Sequence, residues 1–159
     1  MSVVLKYGIA LGVLVEIWTA IVIGMGWHKD PALLLLFFVV IPIQITVLVM
    51  ALKGTAAAGA SYGKQVVTGF GISVVAGVLI ALGSIVLTTV VFPEYFNELR
   101  TAGEAMLQKA GLPPEQVEAQ LKANEGMYNP WQNALSGFLG ATVTGLVVSA
   151  IAGAFLRKR

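Results

Sequence analysis

The sequence has no cysteine, a single histidine and few charged residues. Without cysteine the chain can form neither a disulfide nor a thiolate metal site, and it has no cysteine nucleophile. Charged residues make up 11% of the chain, whereas a soluble domain normally carries about 25%. Such a low charge content leaves too little polar surface for a protein that faces water on all sides. Most of the chain is therefore expected to contact lipid.

Hydrophobic residues make up 57% of the sequence, and its mean hydropathy is +0.86. Crossing a bilayer takes about 20 apolar residues, because an α-helix rises about 1.5 Å per residue. The apolar runs of that length cover residues 4–27, 32–52, 66–92 and 133–156. We therefore predict an all-α polytopic membrane protein with four transmembrane helices, forming a single integral membrane domain over residues 1–159. A polar segment at 93–132 separates the third and fourth helices.

The polar segment 93–132 has the pattern of a helical hairpin. Its first part carries an apolar stripe at helical spacing, formed by Phe96, Leu99, Met106 and Ala110. Gly111 is expected to end this helix, because glycine tolerates the left-handed conformation of a helix cap. We predict that the hairpin is extramembrane, lying at the outer interface or over the helix ends; docking onto a larger partner is the alternative. Because acidic residues predominate in this segment, it is not expected to bind nucleic acid.

An even number of transmembrane helices places both termini on the same side of the membrane. The basic residues on that side are Lys6, Lys53, Lys64, Arg157, Lys158 and Arg159. Those on the opposite side are Lys29, Arg100, Lys109 and Lys122, and acidic residues accompany them. Because basic residues near helix ends favour the cytoplasmic side, we expect both termini to be cytoplasmic.

Small residues recur at every fourth position along three of the four predicted helices. The glycines of these stripes are Gly8, Gly12, Gly69, Gly77, Gly137, Gly145 and Gly153. In lipid, close packing through small residues holds helices together, so these glycines are predicted to lie at helix–helix contacts. Further small residues lie off the stripes and are expected to offer second packing faces: Thr68, Gly71, Gly83, Gly140 and Thr144.

Glu16 lies near the middle of the first apolar run, on the same face as Gly8 and Gly12. A charged side chain at the centre of a bilayer costs about 2.5–3.5 kcal/mol on insertion scales, so this carboxyl is expected to face protein. The predicted intramembrane polar cluster consists of Glu16, Gln44, Thr142 and Thr144. Pro42, read as a mid-helix residue, is expected to kink the second helix beside this cluster. Two interpretations stay open: a buried group that fixes helix register, or a carboxyl that binds a proton, a cation or a partner.

The sequence shows no arrangement typical of catalysis. It contains no Ser/His/Asp set, no zinc-ligand spacing, no P-loop and no dinucleotide-binding context. His28 is read as an isolated residue at a helix end, between Trp27 and Lys29. We therefore predict no catalytic, cofactor-binding or metal site, and a protein that is not an enzyme.

Several stretches together resemble a known family. They are KYGIALGVL (6–14), MALKG (50–54), SYGKQVVTGFGISVVAG (61–77) and FPEYFNELRTAGEAMLQKAGLPPEQVEAQL (92–121). This pattern is similar to the bacterial domain-of-unknown-function 4199 family of small four-helix membrane proteins, and the likeness covers nearly the whole chain. The resemblance implies the fold and a place in the bacterial cytoplasmic (inner) membrane. It implies no activity and transfers no functional residue.

Our leading hypothesis is a non-enzymatic accessory subunit that acts through helix–helix contacts. Its expected partners are the lipid bilayer and other membrane protein subunits or further copies of itself, because the small-residue stripes exceed what one small bundle needs. The alternative is a homo-oligomeric transporter or channel in which Glu16 carries a proton or cation.

Overall fold

The structure, a computed structural model, describes residues 1–156 of the chain. Within that range the regular structure is helical and no strand occurs. The α-helices are α1 (Val3–Gly24), α2 (Val40–Ala57), α3 (Tyr62–Val86), α4 (Tyr95–Lys109), α5 (Pro114–Ala123) and α6 (Pro130–Leu156). The basic residues Arg157, Lys158 and Arg159, used above to predict orientation, lie outside the described residues.

Two of the long helices are extended by tighter or wider helical turns. A 3₁₀-helix, Leu34–Val39, leads directly into α2, and a π-helical turn, Leu87–Val91, continues α3. The segments that are long and apolar enough to cross a membrane are Val3–Gly24, Leu34–Ala57, Tyr62–Val91 and Pro130–Leu156. Their lengths are 22, 24, 30 and 27 residues. Each is sufficient, because a bilayer requires about 20 residues. The chain thus has the architecture of a helical membrane protein.

Pro42 lies in a different place from the one predicted. It is the third residue of α2, at the point where the 3₁₀-helix gives way to the α-helix, and not in the middle of a helix. Proline is tolerated in a first turn, where a missing backbone N–H costs little. The expected kink beside the polar cluster stays a prediction.

The helix ends follow ordinary capping chemistry. The Ser2 hydroxyl accepts a hydrogen bond from the Leu5 N–H at 3.3 Å, and Ser61 does the same for Lys64 at 3.5 Å. Gly59 and Gly111 have positive φ values, 81° and 79°, just after α2 and α4. The predicted end of the first hairpin helix at Gly111 is confirmed.

The four long helices form a bundle in which α3 contacts both α1 and α6, while α2 packs against α6 and α1. The start of α1 and the end of α6 therefore lie at one end, called here the terminal end. The helices α4 and α5 lie beyond the other end, called the hairpin end. The fully buried side chains of Leu11, Leu48 and Ile72 form the centre of the core.

Helices α1 and α3 run parallel and meet through the predicted glycines. A β-carbon placed on Gly8 would lie 2.7 Å from Val75, and one on Gly12 would lie 2.8 Å from Leu79. Real side chains do not approach this closely, so glycine at these positions is what lets the two backbones come together.

Helices α3 and α6 run antiparallel and share two reciprocal contacts. Gly69 of α3 receives the side chain of Ser149, and Gly145 of α6 receives the side chain of Ser73. Both serines are fully buried, and each hydroxyl donates to a carbonyl one turn earlier in its own helix, Ser73 to Gly69 at 3.0 Å and Ser149 to Gly145 at 2.6 Å. Serine therefore fills the gap opposite each glycine without leaving a buried hydroxyl unsatisfied.

The other predicted packing glycines also lie at contacts between helices. Gly77 faces Phe138, Gly137 faces Ile80, and Gly153 faces Tyr62. Gly71 and Gly83 differ from the expectation that they offer second faces to a partner, since they lie against Val4 and Glu16 of α1 inside the bundle. Room for α1 accounts for these two glycines.

Candidate functional site

A cleft of about 510 Å³ opens inside the hairpin half of the bundle. Side chains of α1, α2, α3 and α6 form its walls, and Tyr95 and Leu99 of α4 cover it at the hairpin end. Most of its lining is apolar. This size falls within the about 300–1,000 Å³ that is typical of small-molecule sites.

The structure brings three of the four residues of the predicted polar cluster to this cleft. Glu16, Gln44 and Thr144 line it. Thr142 is not among the lining residues, and its hydroxyl donates to the Phe138 carbonyl of its own helix at 2.8 Å. Thr142 and Thr144 are two residues apart on α6, so they cannot share one helical face.

Gln44 marks the bottom of the cleft. Its side-chain amide donates to the Ala141 carbonyl of α6 at 2.5 Å, and the side chain is buried. Toward the terminal end, the next turns of α1 and α2 carry the fully buried Leu11 and Leu48. The amide thus joins α2 to α6 where the tightly packed half of the bundle begins.

The Glu16 carboxyl lies against α3 at the glycine that makes room for it. A β-carbon on Gly83 would lie 2.6 Å from the Oε2 atom of Glu16. Oε2 is buried and has no hydrogen-bond partner among residues 1–156. Leaving a buried polar atom unpaired costs about 1–3 kcal/mol, so this oxygen is a functional candidate.

The neighbouring polar groups, by contrast, pair with one another. Asn133 of α6 donates to the Ser84 hydroxyl at 2.9 Å, and the Thr88 hydroxyl donates to the Ser84 carbonyl at 2.8 Å. Sequence reasoning missed these three residues. The signal that was available is their position as polar residues near the ends of apolar runs, where α3 and α6 meet.

The cleft opens sideways, between α2 and α6. Its exposed lining residues are Phe38 and Ile41 on one side and Ser136 and Gly140 on the other. A β-carbon on Gly140 would meet no atom within 4 Å. The opening therefore lies on the flank of the bundle, in the outward surface of two long apolar helices.

A second polar contact attaches α4 to the turn between α1 and α2. His28 is buried, and its Nε2 donates to Glu98 Oε2 at 2.9 Å; Lys29 Nζ donates to Glu98 Oε1 at 2.7 Å. The hydrogen bond from Lys29, aided by that from His28, lowers the pKa of the Glu98 carboxyl. The His28 ring packs on Tyr95 with centroids 5.1 Å apart, and burial raises the pKa of Tyr95 to about 12.

His28 is therefore not the isolated residue that its sequence neighbours indicated. Its partner Glu98 lies 70 positions further along the chain. Sequence spacing gives no signal for such a pair. Tyr95 and Phe96 of α4 pack against Ile23 near the end of α1. This packing and the His28–Glu98 contact hold α4 over the hairpin end of the cleft, and α4 is called here the roof of the cleft.

Within residues 1–156, no group of three or more His, Cys, Asp or Glu side chains is arranged to hold a metal ion. The cleft instead combines one carboxyl with apolar walls, an arrangement that can bind a ligand but does not by itself define a reaction.

Fold and cleft together define a small helical bundle of the membrane-protein class, with a cavity in its flank. The chain belongs to the family described as "Protein of unknown function (DUF4199)", whose model matches residues 6–158. The resemblance found in the sequence is thus confirmed over nearly the whole chain. No curated protein and no solved structure matches it.

Proposed function

We propose that residues 1–159 form a single integral membrane domain in the bacterial inner membrane, with both termini cytoplasmic and α4 and α5 outside the membrane. Large apolar side chains on the outer faces of the long helices support this placement, among them Val13, Leu82 and Val143. A water-facing surface does not carry so much exposed apolar area. Lys53 and Lys64, at the terminal end, support the orientation.

The absence of native cysteine makes this orientation directly testable. Single cysteines replace Gln120 in α5 and Ala58 between α2 and α3, both of which are exposed. With a membrane-impermeant maleimide, Gln120→Cys is expected to react in intact cells and Ala58→Cys only after permeabilisation. The reverse pattern would overturn the orientation, and labelling of both in intact cells would overturn the transmembrane topology.

The role we propose is that of a non-enzymatic accessory subunit acting through contacts with other membrane subunits or with itself. One observation carries this proposal: nearly every polar side chain inside the bundle serves internal packing, as Gln44, Ser73 and Ser149 illustrate. The long helices present apolar side chains outward, where lipid or another membrane protein can contact them.

Photo-crosslinking in native membranes tests the accessory role. A photoreactive phenylalanine analogue replaces Val13 of α1, Leu82 of α3 or Val143 of α6, all of which are exposed. A bound partner is expected to give a protein adduct of defined mass from one of these faces and lipid adducts from the others. The same variants purified into pure-lipid vesicles are the control. Lipid adducts alone from all three positions would refute the proposal.

The second candidate function is a homo-oligomeric transporter or channel that uses Glu16. The observation that favours it is the buried Oε2 atom without a hydrogen-bond partner in the described chain. Proton or cation flux into liposomes is then expected for the native protein and not for Glu16→Gln. Thr142→Val, at a similar depth but outside the cleft, is the matched control. Equal background flux from all three proteins would exclude this function.

A further inference from the structure

We propose that the cleft binds a bilayer-dissolved amphiphile with an apolar tail and a single ammonium head, and that the Glu16 carboxyl receives the head. The inference goes beyond the accessory role and relies on it only for placement in a membrane.

The lining of the cleft favours an apolar occupant. Its volume of about 510 Å³ is enclosed mainly by aliphatic and aromatic side chains, including Val15, Phe37, Ile80 and Leu87. Transfer of apolar surface into such a site is favourable by roughly 25 cal/mol per Å² when that surface leaves water. For a ligand already in lipid this gain is absent, so polar contacts must supply the preference for the site.

The route of entry favours a ligand that comes from the membrane. On the hairpin side, Tyr95 and Leu99 cover the cleft, and the contact of Glu98 with His28 and Lys29 fixes the helix that carries them. The flank is open, with Phe38 62% and Ile41 38% exposed. An opening at this depth between two membrane-spanning helices faces hydrocarbon.

The polar groups of the cleft select the head group. Gln44, Asn133 and Thr88 each use a donor on Ala141 or Ser84. The other polar residues of the lining, Thr19, Ser136 and Thr144, are uncharged. Glu16 is the charged residue of the lining, and its buried oxygen lacks a donor among the described residues. An ionised carboxyl needs donors, and an ammonium supplies both donors and the opposite charge. A carboxylate head would meet like charge.

The test follows modification of Glu16 by the apolar reagent dicyclohexylcarbodiimide in lipid nanodiscs, with the reagent in large excess over the probes. Mass spectrometry measures the rate at which the unmodified Glu16 peptide disappears, so that an amide formed with an added amine also counts as modification. Dodecylamine, dodecanol and dodecanoate, which share one chain length, are the added probes. Dodecylamine is expected to slow modification about tenfold, since a charge-assisted hydrogen bond contributes about 1.5–3 kcal/mol. Dodecanol is expected to protect weakly and dodecanoate not at all. Equal protection by all three, or none, overturns the proposal.

A pair of glycine variants separates the cleft from the bilayer. Gly140 lines the cleft and has open space beside it, so Gly140→Leu should fold and fill the cavity. Gly63, at the start of α3, also has open space but lies away from the cleft. Protection by dodecylamine, relative to each variant's own basal rate, is expected to be lost in Gly140→Leu and kept in Gly63→Leu. Retention in both would refute binding in the cleft.

A direct binding measurement keeps the test independent of the reagent. Radiolabelled dodecylamine retained by nanodiscs is expected to fall to the level of protein-free discs in Glu16→Gln and to remain high in Thr142→Val. Equal retention by native protein, Glu16→Gln and protein-free discs would overturn the proposal. Failure of these experiments would leave the crosslinking test of the accessory role unaffected.

Discussion

The two halves of the bundle use the same four helices in different ways. In the terminal half, glycine meets serine across α3 and α6, and glycine meets Val75 and Leu79 across α1 and α3. In the hairpin half, Gly137 faces Ile80 and Gly140 faces open space, and the cleft begins. The stripe residues of α6 therefore contact α3 in both halves, and the cleft opens on the neighbouring face of α6, where Gly140 lies off the stripe.

The largest loss of stability is expected from disrupting the α3–α6 contact in the terminal half. Gly145→Val adds a β-carbon and two methyl groups where the Ser73 side chain already lies, and overpacking of this kind costs about 1–3 kcal/mol or more. Thermal unfolding in detergent, followed by circular dichroism, should show a clear fall in midpoint. Gly63→Val, at a glycine with open space, is the control. An unchanged midpoint in Gly145→Val would mean that α3 and α6 are not in close contact.

An intermediate effect is expected at the boundary between the halves. Gln44→Leu keeps the size of the side chain but removes the hydrogen bond to Ala141. Interhelical hydrogen bonds in membrane proteins contribute about 0.6 kcal/mol on average and up to about 1.7. The unfolding midpoint should fall modestly. The control is Thr46→Ala, because the Thr46 hydroxyl donates to a carbonyl of its own helix, and this variant should unfold like the native protein. An equal fall in the unfolding midpoint of both variants would show that the hydrogen bond between α2 and α6 does not stabilise the bundle.

The smallest loss of stability is expected at the contact between Glu98 of α4 and Lys29, and it depends on pH. The folded-state pKa of Glu98 is lowered, chiefly by the hydrogen bond from Lys29, so its ionisation stabilises the contact above its ordinary pKa. That stabilisation is lost as the pH falls through the lowered pKa. Because the carboxyl is partly exposed, the effect should stay below about 1 kcal/mol.

Hydrogen exchange of the α4 amides, corrected for the intrinsic rate, measures this change. In the native protein, protection over residues 95–109 is expected to drop on acidification. In Glu98→Gln it should be lower at neutral pH and change less. Glu118→Gln, on the exposed side of α5, should behave like the native protein. Identical pH profiles in native protein and Glu98→Gln would show that the carboxyl does not hold α4.

Sequence reasoning predicted the helical fold and the close contacts of Gly8, Gly12, Gly69 and Gly145, because small residues at a fixed spacing are a local pattern. It predicted that Glu16 faces protein for the same reason. It missed the pairing of His28 with Glu98, since a contact across 70 positions depends on how the helices are arranged. It misjudged Gly71 and Gly83, because a glycine pattern does not reveal which neighbour it accommodates.

The cleft could not be predicted from the sequence. Its volume depends on where the α2–α6 pair separates, and that point is set by the Gln44–Ala141 bond and by the 3₁₀-helix that precedes α2. Thr142 and Thr144 look equivalent in the sequence, yet only Thr144 lines the cleft. Residues two positions apart on an α-helix point about 200° apart. Which of the two threonines lines the cleft therefore depends on the position of the facing helix.

The position of α3 as the shared partner of α1 and α6 has a consequence for synthesis at the ribosome. The parallel contact of α1 with α3 joins segments that emerge early, so it can form while the rest of the chain is still being made. Gly69 and Ser73 then stay without their partners until the segment 93–132 and α6 have been synthesised. Until that moment the nascent chain carries an open groove along α3, and this groove is where a membrane insertase or a misplaced helix would compete with α6.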